Sequence, residues 1–397
     1  MSICCLTALL APLAVPQDLA ERVAATARPA EMKRAGLSGA GADFLVDEGR
    51  ASEFFLIGES HGNVETCRLT RWLMGELEGS GYGTLALETG PVTTEHLVDL
   101  AARKGRDAVF DFVRSNPFVV AFLFWSEEVD LFVDAVESEW TVWGLDQEFA
   151  GSARFLLRLM AEGAESDEAR ALASEMQARA EAGFAHFAQT GDQSKSFLSA
   201  ATPEDFQRLE TAFAEESEEL RRVLAELRAT AEVYGHFNQG RFFLNNRDRI
   251  DLMKRHFADR LRADGSEPRV LMKFGSVHMS RGYSAMAQLD VGNFAAEAAV
   301  LRGGRSFHLN VFARRSVALD GSVQDFEASS PHLRPFFDAL EGTATVFDLR
   351  ELRPFLSSDS AKRTHPELHD LAFRFDALLL VSEFNASEPL FPLPQGR

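Results

Sequence analysis

The segment FFLIGESHG, residues 54–62, joins an apolar run to three reactive side chains. Its first four residues form a short continuous apolar run, which is typical of a strand buried on both faces. Gly58 ends the run, and Glu59, Ser60 and His61 follow it. Ligands of open α/β sheets bind beyond the carboxyl ends of strands, so the segment indicates a strand followed by a functional site. The alternative interpretation is a helix-capping glutamate beside an ordinary loop histidine.

A second strand that ends in a carboxylate follows after one helix. Residues 65–78 have the apolar spacing of an amphipathic helix, and YGTLALE (82–88) has the composition of a strand. Strand, helix and strand at this spacing predict a βαβ unit, in which two parallel strands lie side by side. We therefore expect Glu59, His61 and Glu88 to share one edge of a sheet.

Five more segments have the composition of strands: residues 141–145, 269–274, 306–312, 343–349 and 376–381. Asp146 and Glu148 follow the first of these segments, and a loop that contains His278 follows the second. Glycine-containing loops between the later segments suit hairpins. The predicted fold class is therefore α/β, with a central mixed, mostly parallel sheet flanked by helices.

Three segments lie outside this strand pattern. Residues 1–17 include an apolar stretch of signal-peptide length, which favours export; a plain apolar segment of a cytoplasmic protein is the alternative. Residues 18–49 are polar and alanine-rich, and they predict one or two surface helices. The charged segment at about 151–235 has a helical pattern without a strand-like run. We interpret residues 18–397 as a single α/β domain whose helical insertion packs over one end of the sheet.

The composition excludes several classes of partner. The 397 residues carry a formal net charge of −19, which argues against nucleic acid and anionic membranes as main partners. No segment reaches the roughly 18 uninterrupted apolar residues that a membrane span needs. The three cysteines (Cys4, Cys5 and Cys67) form neither a disulfide framework nor a metal-type spacing. These properties suit a protein that acts on a small molecule, and they leave the oligomeric state open.

Residues with acid–base or ligand chemistry gather at the predicted strand ends. The candidate catalytic residues are Glu59, His61, Glu88, Arg247 and His278, and the candidate substrate-binding residues are Ser60, Arg68, Asp146, Glu148 and Arg281. In one chemistry, a histidine held by a glutamate activates water as a general base, and an arginine or second histidine stabilises the oxyanion. In a second, Glu59, His61, Glu88 and His278 bind a divalent metal that supplies hydroxide. In a third, the imidazoles bind haem iron without turnover.

Ser60 offers a further alternative, because residues 58–62 match the GxSxG pattern of serine hydrolases between a strand and a helix. Asp146 and His278 follow in the chain order that such a triad uses. The glutamate and histidine that flank the serine suit water activation or metal binding better, so the histidine-base chemistry is preferred. The cofactor is then none or a divalent metal, with haem as the third alternative.

Four short motifs in this chain resemble, in their order and spacing, those of the erythromycin-esterase-like group. They are GESHG (58–62), ALETG (86–90), NNRDR (245–249) and KFGSVHMSRG (273–282). The resemblance covers roughly residues 54–148 and 240–282. That group shares a broader superfamily with ChaN-type haem-binding lipoproteins and the Tiki metalloproteases.

The resemblance implies a role for each matching residue. The first motif places the family's glutamate and histidine on Glu59 and His61, and the second-strand glutamate and late histidine fall on Glu88 and His278. The arginine in the helix after the first motif matches Arg68, and the helix before the last motif offers Arg247. We expect Arg247 or Arg68 to be the anion clamp. The implied activity is hydrolysis of an ester or related bond in a small molecule, with His61 as general base and His278 as the second acid or base.

The chain departs from the esterase pattern at two points. The GESHG motif has the tighter spacing of the ChaN-like branch, because the esterases usually have one more residue between the glutamate and the histidine. In the late motif, Ser276 and Val277 precede His278, where the esterases more often have asparagine or alanine.

Overall fold

Ten strands of the described chain form one sheet, with helices packed on its two faces. This computed structural model describes residues 19–265 and 267–392. The strands are β1 (Ala27–Lys33), β2 (Gly36–Ser38), β3 (Phe54–Glu59), β4 (Tyr82–Leu87), β5 (Thr141–Gly144), β6 (Arg269–Gly275), β7 (Ser306–Val317), β8 (Val323–Asp325), β9 (Ala344–Asp348) and β10 (Ala377–Asn385). Their order is β2-β1-β9-β10-β7-β3-β6-β4-β5, with β8 paired to β7. Neighbours from β10 to β5 run parallel and the other pairs antiparallel, which confirms the predicted mixed α/β sheet.

The helices connect the strands and form the insertion. They are α1 (Leu19–Ala25), α2 (Ala40–Arg50), α3 (Val64–Leu77), α4 (Pro91–Lys104), α5 (Arg106–Ser115), α6 (Ser126–Glu137), α7 (Ser152–Gly163), α8 (Asp167–Thr190), α9 (Phe197–Ala200), α10 (Pro203–Ala212), α11 (Glu218–Asn238), α12 (Phe242–Asp264), α13 (Val291–Leu301), α14 (Arg334–Asp338), α15 (Arg353–Leu356), α16 (Asp359–Thr364) and α17 (Pro366–Arg374). The helix predicted at residues 65–78 is present as α3, with each end shifted by one residue.

Strand β3 is buried on both faces, as its apolar run predicts. Phe55 and Ile57 belong to the hydrophobic core on one face of the sheet, and Phe54 and Leu56 belong to the core on the other. All four side chains are fully buried. Side chains alternate between the two faces of a strand, so four consecutive apolar residues are all buried only where helices cover both faces of the sheet. This explains the position of β3 inside the sheet.

The predicted side-by-side pairing of β3 and β4 was wrong. Strand β6 lies between them and pairs in parallel with both, so the βαβ connection skips one position in the sheet. The carboxyl ends of all three strands still point to the same edge. Local spacing predicts the parallel direction and the crossover, but it does not show that a strand from residues 269–275 enters the gap.

The N-terminal segment 18–49 also differs from its prediction. It contains the helices α1 and α2, but β1 and β2 form a hairpin between them, and β1 pairs antiparallel with β9. The polar strand ARPAEMK has weak strand propensity and a proline, so no local pattern indicates it. Its pairing with a strand near the other end of the chain decides its conformation.

The predicted insertion is helical throughout its described residues and runs from α7 to α11, slightly beyond residue 235. Leu156, Leu209 and Leu227 are fully buried in the same hydrophobic cluster as Phe55 and Ile57 of β3. The insertion and the sheet therefore share one hydrophobic core.

The predicted export segment, residues 1–17, lies outside the described residues. Among the helices that the structure describes, none combines the length and apolarity that a membrane crossing needs. The boundaries of a single domain at 18–397 stay a prediction.

Candidate functional site

Three parallel strands place the site at one edge of the sheet. Strand β3 ends at Glu59, β6 ends at Gly275, and Glu88 directly follows β4. Glu59 is opposite Gly275 in the register, and Leu87 is opposite Lys273. Glu59 of β3 and Glu88 after β4 therefore lie on either side of β6. Strand β6 supplies the Lys273 side chain and the Gly275 backbone amide between them.

His61 lies between the two carboxylates. Its Nδ1 is 3.0 Å from Oε1 of Glu59, and its Nε2 is 3.3 Å from Oε2 of Glu88. The ring of Phe122 stacks on the imidazole with a centroid distance of 3.7 Å. Asn63, rather than Glu59, caps helix α3 by accepting a hydrogen bond from the Thr66 amide. Glu59 thus orients His61 and is not a helix cap.

The charge state of His61 follows from its two partners. Burial lowers the pKa of His61, but the hydrogen bonds and charges of Glu59 and Glu88 outweigh it and raise that pKa to about 10. A carboxylate oxygen can only accept, so both ring nitrogens carry a proton in this arrangement. The imidazole is therefore an imidazolium at neutral pH.

Glu88 is the hub of the site. Its Oε2 accepts a hydrogen bond of 2.7 Å from the Gly275 amide, and its Oε1 accepts one of 2.7 Å from Nη2 of Arg249. Nε2 of His278 lies 3.4 Å from Oε1. Burial raises the pKa of Glu88, but its interactions with His278, His61 and Arg249 hold it well below the usual range. Glu88 is therefore ionised and fixed.

His278 has its own carboxylate partner. Its Nδ1 lies 3.1 Å from Oδ2 of Asp290, and the side chain is 4% exposed. Asp290 also accepts a 2.7 Å hydrogen bond from the Val291 amide as the cap of α13. The start of a helix thus fixes the carboxylate that orients His278.

Lys273 forms a buried ionic group beneath the imidazole of His61. Its Nζ donates to Glu59 Oε1 at 2.5 Å and to Glu128 Oε1 at 2.6 Å, and all three side chains are at most 3% exposed. Burial raises the pKa of Glu128 more than the charge of Lys273 lowers it, whereas Lys273 and His61 together lower the pKa of Glu59 despite its burial. Lys273 therefore keeps Glu59 ionised beside His61.

The structure corrects the predicted role of Arg247. This side chain is 48% exposed and pairs with its neighbour Asp248 at 2.7 Å. Arg249 lies in the site instead and binds both Glu88 and Asp146, with 2.5 Å between its Nη2 and Asp146 Oδ2. Two residues along a helix correspond to about 200°, so the two arginines of NNRDR point to opposite sides.

Two predicted substrate-binding residues, Glu148 and Arg281, do not contact Glu59, Glu88 or the two histidines of the site. Glu148 accepts hydrogen bonds from the amides of Val92 and Thr93 at the start of α4, and burial raises its pKa to about 7. Arg281 pairs with Asp376 at 2.6 Å. Both residues stabilise the fold in this arrangement.

The remaining two, Ser60 and Arg68, lie near the surface. The Ser60 side chain is exposed, and its backbone carbonyl accepts from Asn63. Arg68 is 34% exposed and lies 3.8 Å from Glu65. Because His278 pairs with Asp290 and Asp146 pairs with Arg249, the residues of the serine triad alternative hold other partners.

The predicted metal-ligand set does not fit a divalent ion. Lys273 neutralises Glu59, Arg249 neutralises Glu88, and both nitrogens of His61 face carboxylates. One oxygen, Glu59 Oε2, has no hydrogen-bond partner among the described residues, but a single oxygen is not a ligand set. In the described part of the chain, no group of three or more histidine, cysteine or acidic residues is arranged to hold a metal ion.

Haem fits the arrangement no better. Axial ligation needs an imidazole nitrogen with a free lone pair. Both nitrogens of His61 face carboxylates and the ring of Phe122 covers the imidazole face, while both nitrogens of His278 face Asp290 and Glu88. The free volume beside His61 is about 10 Å³ and His278 is 4% exposed, so this arrangement has no space for a porphyrin at either Nε2.

Sequence reasoning missed four residues of the site: Glu128, Arg249, Lys273 and Asp290. Two of them carry a signal that periodicity can detect. Lys273 interrupts the apolar run of β6, and a charge on a buried strand needs a partner. Arg249 has the helical phase of the buried residues Met253 and Phe257, which Arg247 does not.

Comparisons with known proteins find similarity in structure alone. No protein-family model matches the chain, and no curated protein matches it in sequence. A mutant of the erythromycin esterase EreC in its open conformation superposes with a TM-score of 0.61 and 13% identity, over 91% of this chain and 98% of that one. A Bacillus cereus protein superposes with a TM-score of 0.56 and 14% identity, over 93% and 98%.

Two further solved structures were compared with this chain. A succinoglycan biosynthesis protein has a TM-score of 0.56 and 10% identity, over 93% of this chain and 97% of that one. ChaN of Campylobacter jejuni, a structure with bound haem, reaches a TM-score of 0.33 over 68% of this chain, which is too low to inform on haem. Identities of this size show the fold alone. The predicted resemblance is therefore confirmed as a resemblance of fold: over 91% of its length, this chain has the fold of the erythromycin esterase EreC.

Proposed function

We propose that this chain is a hydrolase that cleaves an ester or lactone bond of a small molecule with two carboxylate-held histidines. One observation carries the proposal: Nε2 of His61 and Nε2 of His278 converge on the two oxygens of Glu88, at 3.3 and 3.4 Å. Behind each ring, a second carboxylate, Glu59 or Asp290, holds Nδ1. The fold shared with EreC supports the reaction class.

The contacts of Glu88 leave its two histidines available for chemistry. Both Nε2 distances exceed the 2.7–3.2 Å range of good N–H···O bonds, whereas the bonds from Gly275 and Arg249 are 2.7 Å. Glu88 therefore stays in place when a water or a substrate oxygen replaces it as partner of either imidazole. The reacting atoms then lie between the two Nε2 atoms.

The charge state of His61 assigns the roles. In this proposal a water replaces Glu88 as the partner of His278 Nε2, and His278 is neutral, with its proton on Nδ1 facing Asp290. Nε2 takes a proton from this water as the water oxygen attacks the carbonyl carbon. The imidazolium of His61 donates to the oxyanion and then gives its Nε2 proton to the leaving alkoxide as the C–O bond breaks. The proton on His278 then passes to His61, which restores the starting state, and the product acid releases its own proton to solvent. The products are an acid and an alcohol.

These roles revise the prediction that His61 is the general base. A base must be unprotonated, and two carboxylates hold a proton on His61 up to a pKa of about 10. The predicted anion clamp changes as well. Arg249 is already neutralised by Glu88 and Asp146, so it fixes Glu88 and does not bind substrate charge.

Phe122 covers the site and has to move for substrate to bind. The free volume beside Glu59, His61 and Phe122 is about 10 Å³, which is the lower limit for one water molecule. Phe122 has a φ of 59°, in the left-handed region that bulky residues avoid. The strain of about 1–3 kcal/mol at such a residue favours a second conformation of this segment.

A panel of alkyl esters, aryl esters and lactones that includes erythromycin tests the proposal, with the released acid measured by mass spectrometry. We expect turnover by the wild type and loss of turnover in His61→Gln and Asp290→Asn. His186→Gln is the matched control, because His186 also pairs with a carboxylate, Asp192 at 3.2 Å, within the helical insertion. Turnover that survives in His61→Gln would overturn the proposal.

The pH profile separates the two roles of His61. If His61 acts as an acid, we expect kcat/KM to be constant from pH 7 to 9 and to decrease as pH rises through the His61 pKa of about 10. As a base, it would make kcat/KM rise about tenfold per pH unit over that range. Uncatalysed hydrolysis of each ester is subtracted at every pH.

A further inference from the structure

Helix α12 presents an apolar face beyond the edge of the sheet. Phe243, Ile250 and Phe257 are spaced by seven residues and therefore lie on one stripe of the helix. Ile250 and Phe257 are buried at 1% and 0% exposure, whereas Phe243 is 58% exposed. The stripe that packs on the sheet thus continues past the sheet, where no part of the described chain covers it.

Two further phenylalanines enlarge this face. Phe242 is 58% exposed and Phe237, near the end of α11, is 47% exposed. Their rings meet edge to face at 5.6 Å. We call Phe237, Phe242 and Phe243 the phenylalanine patch. Three large exposed aromatic side chains grouped in this way mark a binding surface rather than scattered apolar residues.

Part of the patch lies on the side of α12 that carries Arg249. Phe242 and Arg249 are seven residues apart on α12, so they share a face and lie about 10 Å apart along the helix. Arg249 and His61 are 19% and 23% exposed, whereas Glu59, Glu88 and His278 are 4% or less. Solvent therefore reaches the site from the side of Arg249 and His61, where the patch begins.

We infer that the phenylalanine patch binds a linear alkyl or acyl chain of the substrate while its ester group lies at His61 and His278. This inference rests on the proposed function and names its substrate class. A strip one helix wide and about 10 Å long accommodates an extended chain. A neutral chain fits because the formal net charge of −19 opposes anionic amphiphiles and anionic lipid surfaces.

Binding of methyl n-alkyl ketones tests the inference without turnover, because these compounds mimic esters and lack the bond that is cleaved. Isothermal titration calorimetry compares 2-butanone to 2-decanone. We expect the affinity to rise about two- to fourfold per methylene group. In Phe242→Ser/Phe243→Ser, we expect 2-decanone to lose at least tenfold in affinity and 2-butanone to bind as to the wild type. Equal loss for both ketones, or no loss, would contradict the inference.

Leu301→Ser is the control for the loss of an exposed apolar side chain. Leu301 is 89% exposed and is the last residue of α13, towards the opposite edge of the sheet, where Gly304 contacts Glu53 just before β3. We expect this variant to bind every ketone as the wild type does. If light scattering shows a wild-type dimer that Phe242→Ser/Phe243→Ser abolishes, a second copy covers the patch and the inference is overturned.

The ester panel separates this inference from the proposed function. Hydrolysis with the same KM for acetyl and decanoyl esters would contradict chain binding by the phenylalanine patch and support the proposed hydrolase function. Chain-length-dependent ketone binding without hydrolysis of any ester would remove the hydrolase and leave the patch as a binding surface.

Discussion

Two histidines of this protein, one partly and one fully buried, differ in charge at neutral pH. His61 lies between Glu59 and Glu88, and these carboxylates raise its pKa to about 10. His308, on strand β7, is fully buried, and burial together with the charge of Arg281 lowers its pKa to about 3. One is an imidazolium at neutral pH and the other a neutral imidazole. Burial alone therefore does not decide the charge of a histidine; its hydrogen-bond partners do.

The partners of His308 give it a structural role. Nδ1 donates to the Met279 carbonyl at 2.7 Å, and Nε2 accepts from the Ser306 hydroxyl at 2.8 Å. Both partners are neutral and both bonds are short. Because Met279 directly follows His278, this contact fastens the loop that holds His278 in the site. His61, in contrast, has longer contacts and 23% exposure, as a group that meets substrate requires.

The largest expected difference between the two histidines is in catalysis. His61→Gln is expected to reduce kcat/KM on the best ester by about 10²- to 10⁴-fold, because it removes the acid. His308→Gln is expected to keep kcat/KM within about threefold, since glutamine can still hydrogen-bond Ser306 and Met279. Steady-state kinetics on folded protein, checked by circular dichroism, measures both. Equal losses of kcat/KM in the two variants would contradict the assignment of a catalytic role to His61 and a structural role to His308.

Removal of a buried counter-ion is the next largest effect. Arg249→Met removes the cation that Glu88 and Asp146 share and is expected to lower the free energy of unfolding by about 3–5 kcal/mol. Arg247→Met, two residues away on the exposed side, is expected to change it by about 0.5 kcal/mol or less. Urea denaturation compares the two variants. Similar values for both would place Arg249 outside the site.

Lys273 supports the charge of His61 through Glu59. Lys273→Met is expected to lower the free energy of unfolding by about 3–5 kcal/mol, because it removes the buried cation that binds both Glu59 and Glu128. Adding Glu128→Leu removes one of these carboxylates and is expected to restore about 1–3 kcal/mol, a coupling that a double-mutant cycle measures. Strictly additive losses would show that the three side chains do not act as one group.

The smallest expected effect is a difference in the pH dependence of stability. The pKa of His61 is raised from about 6.5 to about 10, so its stabilisation is complete below pH 6.5 and is lost as pH rises to 10. The pKa of His308 is lowered to about 3, so its stabilisation is present above pH 6.5 and is lost as pH falls. Denaturation of His61→Gln and His308→Gln beside the wild type at pH 5, 7 and 9.5 measures both. The free energy of unfolding of the wild type should exceed that of each variant by on the order of 1–3 kcal/mol. This difference should disappear at high pH for His61→Gln and at low pH for His308→Gln.

Seven of the ten strands and the position of the site could be predicted because local patterns determine them. The apolar run before Gly58 predicts β3, and runs of the same kind predict β4 and β6. Acids and histidines at the ends of these strands predict that Glu59, His61, Glu88 and His278 meet. The structure brings all four together.

The remaining features depend on long-range pairing or on the phase of a helix. The position of β6 between β3 and β4 brings Lys273 to Glu59, and no local pattern determines strand order. The choice of Arg249 over Arg247 depends on which side of α12 faces the sheet. The roles of the two histidines depend on carboxylates that are distant in sequence, because charge state follows from contacts and not from residue type.

Nitrogen-15 NMR of the histidine rings between pH 5 and 11 tests the central claim most directly, with His61→Gln and His308→Gln used to assign the signals. We predict that both ring nitrogens of His61 remain protonated at pH 7.5 and that the ring titrates near pH 10. We predict that His308 is neutral across this range, with its proton on Nδ1. A His61 signal that titrates near pH 6.5 would contradict the account, because the two carboxylates would then not hold its proton.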